Sequence, residues 1–450
     1  MQSKTAFTRQ TRIALGALGV FVALLLMAAA WTIPFVFESS TLFYKFGLEK
    51  VLLRSGKVAG VTAAVLIFFQ IVLISRFNIL DKIFGLNHIF NIHRINGMVI
   101  AALALLHPIL ILAAEGFTLF PLEMRYWPEF LGIGLSVLIL GIVIMSNWRL
   151  VCGVSYDIWL HFHRQMVLGV IAIEGFHIIF VSDTFESGFP RTLIFVVIGL
   201  NLPLIINLWR RRLFPGKWLY AVSAVTLSGD NFHILELRPI DDPGLPYLPG
   251  QFVFITPVSE NLRREEHPFT LASSPSRPNT LQFIIRSIGD WTNQIDRLKI
   301  EERVFIDGPY GIFSHKAYPG DDPLILIAGG VGITPMLSML RFMTDTNDRR
   351  PVQLIWSNKT RESIVLPEVF EELKGRLKQL KIMYIITRSG SGADDGGRLD
   401  RAKLDQLLEG CSRKSRIFIC GPPGMMKEVN RALKAAGFMA TRIHTEKFRF

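Results

Sequence analysis

Four histidines inside apolar stretches carry the first chemical signal in this sequence. His93 and His107 lie in one stretch, His163 and His177 in another, and the members of each pair are 14 residues apart. On an α-helix this spacing is close to four turns, so both side chains fall within roughly 40° of one face and about 21 Å apart along the axis. Two such helices set face to face bring His93 opposite His163 and His107 opposite His177, which makes two bis-imidazole sites at two depths. Imidazole is a good axial ligand for haem iron, and a bundle core keeps water from the macrocycle. Zinc or di-iron sites call for ligands one turn apart or mixed with carboxylates, and neither pattern occurs here. Two haems stacked in this way form an electron relay.

Two further residues in these stretches could act beside the histidines. Glu174 precedes His177 by three residues and so lies on a neighbouring helix face. An ionisable group at that depth is costly and is a functional candidate by default. It could deliver protons to a reduced acceptor, bind a cationic acceptor, or pair with a polar residue of the bundle. Arg54 and Lys57 stand at the start of another apolar stretch. Either could pair with haem propionates or attract an anionic species, or else snorkel as an ordinary interfacial cation.

The second half of the chain carries a different chemistry. His267, Pro268, Phe269, Thr270 and Ser273 close a strand-like run, and Arg286, Gly289, Trp291 and Thr292 end the next. An arginine, a glycine that bares backbone N–H groups and a hydroxyl can jointly hold a pyrophosphate. Residues 307–311 (Asp-Gly-Pro-Tyr-Gly) make a tight turn. Gly329, Gly330, Gly332, Thr334 and Pro335 then separate a buried strand pattern from a helical one. Glycines at that junction let the backbone approach a dinucleotide pyrophosphate at a helix N-terminus. Cys420, Gly421 and Pro422 follow a later strand pattern.

The elements that must position these residues can be read from hydropathy and period. Six apolar runs, 13–37, 58–75, 92–114, 130–148, 158–181 and 192–209, each have the length a helix needs to cross roughly 30 Å of hydrocarbon. The first could be a secretory signal, but its run exceeds the usual core of about 7–15 residues, which favours an uncleaved anchor. With the N-terminus in the cytosol, Lys4, Arg9, Arg12, Arg76, Lys82, Arg94, Arg149, Arg164 and Arg210–Arg212 fall on the inner side. The outer side then receives Lys45, Lys50, Arg54, Lys57, Arg125 and Arg191, a smaller set, as the positive-inside bias expects. An even number of spans returns the chain to the cytosol.

Beyond residue 215 the pattern changes. Short alternating runs at 218–227, 233–238, 252–256 and 281–286 predict a small antiparallel barrel. Buried strands at 324–328, 352–356, 382–386 and 416–419 alternate with helical patterns and predict a parallel nucleotide-binding sheet. The expectation is a multi-domain membrane protein: a six-helix transmembrane bundle over 1–214, an antiparallel β-barrel over 215–319 and an α/β domain over 320–450.

Composition agrees with a membrane half joined to a soluble half. The 450 residues are 50% hydrophobic, with the apolar ones concentrated in the first half. The net charge of +12 does not point to nucleic acid, because the cations cluster beside apolar spans. Cys152, Cys411 and Cys420 have no metal-like spacing and suggest no disulfide framework. No EF-hand loop stands out, which argues against direct calcium gating.

Taken together, the stretches 267–274, 286–292, 329–335 and 420–422 and their order resemble the NADPH oxidase and ferric reductase superfamily over nearly the whole chain. The resemblance implies that His267, Pro268, Phe269 and Thr270 line the isoalloxazine and ribityl chain of FAD. It implies that Arg286, Gly289, Trp291 and Thr292 hold the FAD pyrophosphate and adenine side. Gly329, Gly330, Gly332 and Thr334 would receive the nicotinamide dinucleotide, with Cys420 close to the hydride-transfer site. A C-terminal aromatic stacks on the flavin in this family, which here means Phe448, with Phe450 as the alternative. Ser357, Lys359 and Arg361 follow one strand and Arg388 the next, where a 2′-phosphate would be read; the cations favour NADPH, with NADH possible.

The expected activity is transfer of electrons from cytosolic NADPH, through FAD and two b-type haems, to an acceptor on the outer side of a plasma or bacterial inner membrane. Dioxygen, giving superoxide, is the first expectation for that acceptor. Alternatives are a ferric-chelate reductase and a membrane electron-transfer subunit that feeds a partner protein, although no partner protein is required.

Overall fold

The computed structural model describes residues 7, 9–38, 40–117, 123–149, 151–181, 183–185, 188–213, 216, 218–229, 231–240, 244–277, 279–318, 320–388 and 397–447. The chain divides into two compact units. One comprises Ala14–Phe77 and His88–Arg210; the other comprises Met1–Ile13, Asn78–Asn87 and Arg211–Phe450.

The first half is helical: α1 (Arg9–Val36), α2 (Ser40–Phe43), α3 (Gly47–Ile74), α4 (Asn78–Phe84), α5 (Leu86–Ala114), α6 (Trp127–Trp148), α7 (Tyr156–Val181) and α8 (Gly188–Leu213). Six helices among the described residues, α1, α3, α5, α6, α7 and α8, are long and apolar enough to cross a membrane. All six begin earlier than the apolar runs predict, α3 and α5 by the most. Helix α3 starts at Gly47 and takes in Lys50, Arg54 and Lys57, while α5 starts at Leu86. A hydropathy reading stops at charges. A helix does not, because long cationic side chains at its end can reach the interface.

The bundle is held by Ile67 of α3, Ile100, Ala101 and Ala104 of α5, Leu135 and Ile139 of α6 and Val170 of α7, which pack as one cluster. Large apolar side chains such as Phe21, Leu24, Val137 and Phe195 face outward, as a lipid solvent requires. Pro108 lies inside α5 and has no N–H to give the carbonyl of Ala104. The Ser136 hydroxyl of α6 donates to that carbonyl at 3.0 Å. A neighbouring helix thus satisfies the group that the proline leaves open.

The second half holds two sheets. Strands β1 (Trp218–Ser228), β2 (Phe232–Pro239), β3 (Phe252–Val258), β4 (His267–Thr270), β5 (Leu281–Arg286) and β6 (Arg303–Tyr310) form an antiparallel sheet of order β4-β3-β6-β1-β2-β5. A Leu271–Phe283 bridge joins its two ends into a barrel. Val222, Leu235, Val253, Phe283 and Ile306 fill the interior.

Strands β7 (Leu324–Gly329), β8 (Val352–Asn358), β9 (Leu380–Ile386), β10 (Arg416–Cys420) and β11 (Ile443–Glu446) form a parallel sheet of order β11-β10-β7-β8-β9. Helices α9 (Ile333–Asp345) and α10 (Pro367–Arg376) cover one face, and α11 (Arg401–Leu407) and α12 (Pro423–Ala435) the other. Alternation along β7 shows why both faces are buried. Leu324, Leu326 and Ala328 point into the first core and Ile325 and Ile327 into the second.

Candidate functional site

In the helical unit the four histidines meet as two pairs. The ring centroids of His93 and His163 are 6.5 Å apart with planes at 68°, and those of His107 and His177 are 6.4 Å apart at 80°. Metal–imidazole bonds are roughly 2 Å long. Two such bonds and two half-rings fill a gap of this size, so each pair has the spacing that one metal ion between the rings would need. Among the described residues no group of three or more His, Cys, Asp or Glu side chains could hold a metal ion. A pair suffices for a macrocycle that brings four nitrogens of its own.

The two pairs are supported differently. His107 Nδ1 lies 2.8 Å from the Gly56 carbonyl and His177 Nδ1 lies 2.9 Å from the Pro128 carbonyl. A carbonyl can only accept, so each Nδ1 carries the proton and each Nε2 keeps its lone pair for a metal. Glycines make room for these rings. A Cβ on Gly60 would stand 3.0 Å from the His107 ring, and one on Gly132 would stand 2.4 Å from the His177 ring. The other pair lacks these carbonyl contacts, since His93 Nδ1 and His163 Nδ1 are buried without a partner.

Glu174 lies on α7 and makes no ion pair or hydrogen bond to another described residue. Arg54 is paired with Glu38, and its guanidinium lies 4.7 Å from the Phe35 ring centre. A cavity of about 630 Å³ opens beside it, lined among others by Trp31, Lys50 and Ser55. Ser55 adjoins Gly56 in sequence, so the cavity borders the helix turn whose carbonyl holds His107.

In the other unit the glycine motifs converge. A Cβ on Gly332 would lie 2.2 Å from the Cys420 carbonyl oxygen, and one on Gly329 would lie 2.7 Å from Pro422 Cδ. One on Gly421 would stand 3.0 Å from Gly329 Cα. The loop after β7 and the loop after β10 therefore touch backbone to backbone, which only glycine permits. Thr334 donates its hydroxyl to the Val331 carbonyl at 2.8 Å, and Pro335 is buried behind it in α9. Ser357 pairs with Gly329 across the sheet, and the Arg388 N–H bonds the Lys359 carbonyl at 2.9 Å. Lys359, Arg361 and Arg388 are exposed together at the ends of β8 and β9.

Around the barrel, β4 pairs with β3 and sets His267, Pro268, Phe269 and Thr270 in one row. His267 lies 3.1 Å from Glu265 and stacks 4.1 Å from Trp291. Trp291 is itself packed in the barrel core against Phe269, with its N–H on the Arg263 carbonyl. Its ring is thus a wall that braces His267. Arg286 Nε and Ser287 Oγ are buried without partners at the end of β5, as an anion-binding corner would need. The Thr292 hydroxyl accepts the N–H groups of Ile288 and Gly289 at 3.1 and 3.0 Å. Ser273 serves the frame: its hydroxyl contacts Tyr247 and its carbonyl accepts from Ser338 of α9.

Cys420 is fully buried at the end of β10 and pairs with Ala328 and Glu446. Burial and the neighbouring Glu446 carboxylate push its thiol well above the usual cysteine range, so it is no thiolate nucleophile. Phe448 and Phe450 lie outside the described residues. Sequence reasoning missed two acids of this unit. Glu446 is 8% exposed and is held by the Asn87 amide, while Asp81 is 3% exposed and accepts the Gly311 N–H at 3.1 Å. No spacing rule marks either.

Three family models match in succession: a ferric reductase like transmembrane component over residues 59–173, an FAD-binding domain over 219–314 and an oxidoreductase NAD-binding domain over 326–431. The chain belongs to the NADPH oxidase and ferric reductase superfamily. As a member of that superfamily it is a transmembrane oxidoreductase with FAD- and NAD(P)-binding modules. The reductase half is 29% identical over 218 residues to the glycine betaine monooxygenase reductase subunit of Chromohalobacter salexigens, covering 46% of this chain and 58% of that one. It is 31% identical over 216 residues to NADH-cytochrome b5 reductase 2 of Lodderomyces elongisporus, covering 43% and 70%. Among solved structures, a flavohemoglobin from Malassezia yamatoensis is 20% identical with a TM-score of 0.49, covering 89% of this chain and 98% of that one. The chain thus spans less than two thirds of the first of these relatives.

Proposed function

We propose that this oxidoreductase carries electrons from cytosolic NADPH, through FAD and two b-type haems, to dioxygen on the outer side of a plasma or bacterial inner membrane, giving superoxide. The observation that carries the reading is the pair of imidazole gaps, 6.5 and 6.4 Å, stacked along two helices. His93 and His163 would ligate the inner haem, and His107 and His177 the outer one. Bound flavin supplies the conversion from a two-electron donor to the one-electron steps that haem iron needs.

The residues of this chain divide the remaining work. The lone pair that each Nε2 keeps makes His107 and His177 ready ligands, and the glycine-lined pockets hold their rings in place. With both histidines of a pair given to one haem, the acceptor would have to take its electron without binding the iron. Arg286, Ser287 and the Gly289 turn suit the FAD pyrophosphate. His267, braced by Trp291, and the row through Thr270 suit the isoalloxazine side. Gly329, Gly330 and Gly332, opposed by Gly421 and Pro422, suit the nicotinamide dinucleotide, with Cys420 as a neutral contact. Phe448 is the proposed flavin-stacking aromatic. Glu174 is proposed to hold a proton near the outer pair. The cations flanking the spans support cytosolic termini.

The cavity beside Arg54 and Lys50 favours a second reading of the last step. It is far larger than dioxygen needs, and its cations suit an anionic ferric chelate. Aerobic NADPH turnover by the purified protein separates the two. Superoxide formed in proportion to NADPH consumed supports the oxidase. Chelate reduction that outpaces it and ignores superoxide dismutase supports the reductase. Haems that stay reduced in air with either acceptor would overturn both.

The choice of nicotinamide has its own test. Replacing Lys359 and Arg361 together with alanine is expected to raise KM for NADPH about tenfold, the worth of one charge-assisted contact of about 1.4 kcal/mol. KM for NADH should stay unchanged. Equal effects on both cofactors would remove these cations from 2′-phosphate recognition.

A further inference from the structure

The segment that follows the second span in sequence does more than connect it to the third. Helix α4 and the residues after it pack within the reductase unit, and their polar side chains reach two of its parts. Asp81 accepts the Gly311 N–H through both carboxylate oxygens, at 3.3 and 3.1 Å, and also accepts the Leu86 N–H at 2.9 Å. Gly311 follows β6 at the barrel exit. Asn87 donates its amide to Glu446, the last residue of β11. One short segment therefore grips the flavin barrel at one end and the final strand of the nucleotide domain at the other. Arg211 steadies the same barrel turn, donating to Asp307 at 3.1 Å and to the Tyr310 hydroxyl at 3.0 Å.

We propose that Asn78–Asn87 is a proton-dependent clasp, with Asp81 and Asn87 as positioning residues that tie the barrel exit turn to the strand ending in Glu446. The charges around it explain the dependence. Asp81 faces the Gly311 and Leu86 N–H groups, with Lys82 and Arg12 nearby; burial nevertheless lifts its carboxyl to about 6. Glu446 faces Asn87, Asp81 and the Cys420 thiol. Burial lifts its carboxyl to about 8, and the Asp81 charge pushes in the same direction. Both acids thus hold protons more tightly when the clasp is closed than when it is open. Closure is strongest at low pH and weakens as pH rises, until Glu446 is ionised near 8 in the closed form. Above that point two buried carboxylates repel each other across the clasp. The consequence is local: the last strand, which pairs with Cys420, is held in register most firmly when a proton is present.

The test is amide hydrogen exchange on the purified full-length protein from about pH 6 to about pH 9, corrected for intrinsic rates. Protection of residues 78–87 and 443–446 is expected to fall about tenfold per pH unit up to about 8 and then flatten. Asn87→Ala should lower protection at every pH and keep the slope. Asp81→Asn retains an acceptor for the two N–H groups but removes the charge facing Glu446, so the flattening should move to lower pH. A purely structural contact would move only the level of protection. NADPH-driven flavin reduction should fall with pH in parallel, while retained flavin absorbance reports folding. A pH-independent protection factor in the wild type, or an unmoved break in Asp81→Asn, would overturn the clasp. The outcome does not depend on haem ligation or on the acceptor.

Discussion

His107→Leu is expected to lower haem content from two per chain to one and to abolish electron delivery to any outer acceptor. In the proposed ligation His107 supplies one of the two ligands of its pair, whose rings lie 6.4 Å apart, and leucine offers no lone pair to replace it. Changes to groups that merely support a metal ligand cost roughly 10–100-fold in affinity or activity, so loss of the ligand itself should exceed that. The inner pair, His93 and His163, lies on other turns of the same helices and should still bind haem that NADPH can reduce. The result to look for is a Soret band of about half intensity that bleaches on NADPH addition, with no superoxide formed. Full haem content in this variant would refute ligation by His107. Superoxide at the wild-type rate would remove the outer pair from the path.

Gly332→Ala should act at the opposite end of the chain. The backbone at Gly332 is ordinary helical, with φ −61°, so its requirement is for space. A Cβ there would lie 2.2 Å from the Cys420 carbonyl oxygen, which is backbone and cannot swing away. The two loops must part, and overpacking of this kind costs about 1–3 kcal/mol. Because those loops are the proposed nicotinamide site, kcat/KM for NADPH is expected to fall on the order of 10- to 100-fold. Haem content and reduction by a chemical reductant should be unchanged. Gly330→Ala is the control. It meets nothing within 4 Å, and its positive φ of +53° costs only about 1–2 kcal/mol of backbone strain. Equal losses in the two variants would show that backbone conformation, and not loop contact, governs the site.

Much of this molecule can be read from local pattern. The histidine pairs are legible because helix period and ligand spacing are both short-range, and the parallel strands because a strand buried on both faces must be apolar throughout. The short elements are harder. Strand β11, Ile443–Glu446, has four residues at a sheet edge, and β6 carries an Asp-Gly-Pro sequence that reads as a turn. Neither holds enough period to be distinguished from a loop. Trp291 illustrates a different limit. Its place in a phosphate-like motif suggests ligand contact, but nothing local reveals that its large ring also packs in the barrel core beside His267.

The sequence by itself determined the six apolar helices, the two histidine levels, the barrel, the nucleotide-binding sheet and the order of the FAD- and NAD-binding domains. Each of these depends on residues within a few turns of one another. Only the tertiary structure decided which distant groups meet: the glycine loop after β7 against Cys420, and Asp81 and Asn87 against Gly311 and Glu446. The last two contacts join residues 230 and 359 positions apart. No period or spacing links such pairs, because the packing of whole elements brings them together. The raised proton affinity of Asp81 and Glu446 exists only once that packing has removed water from both.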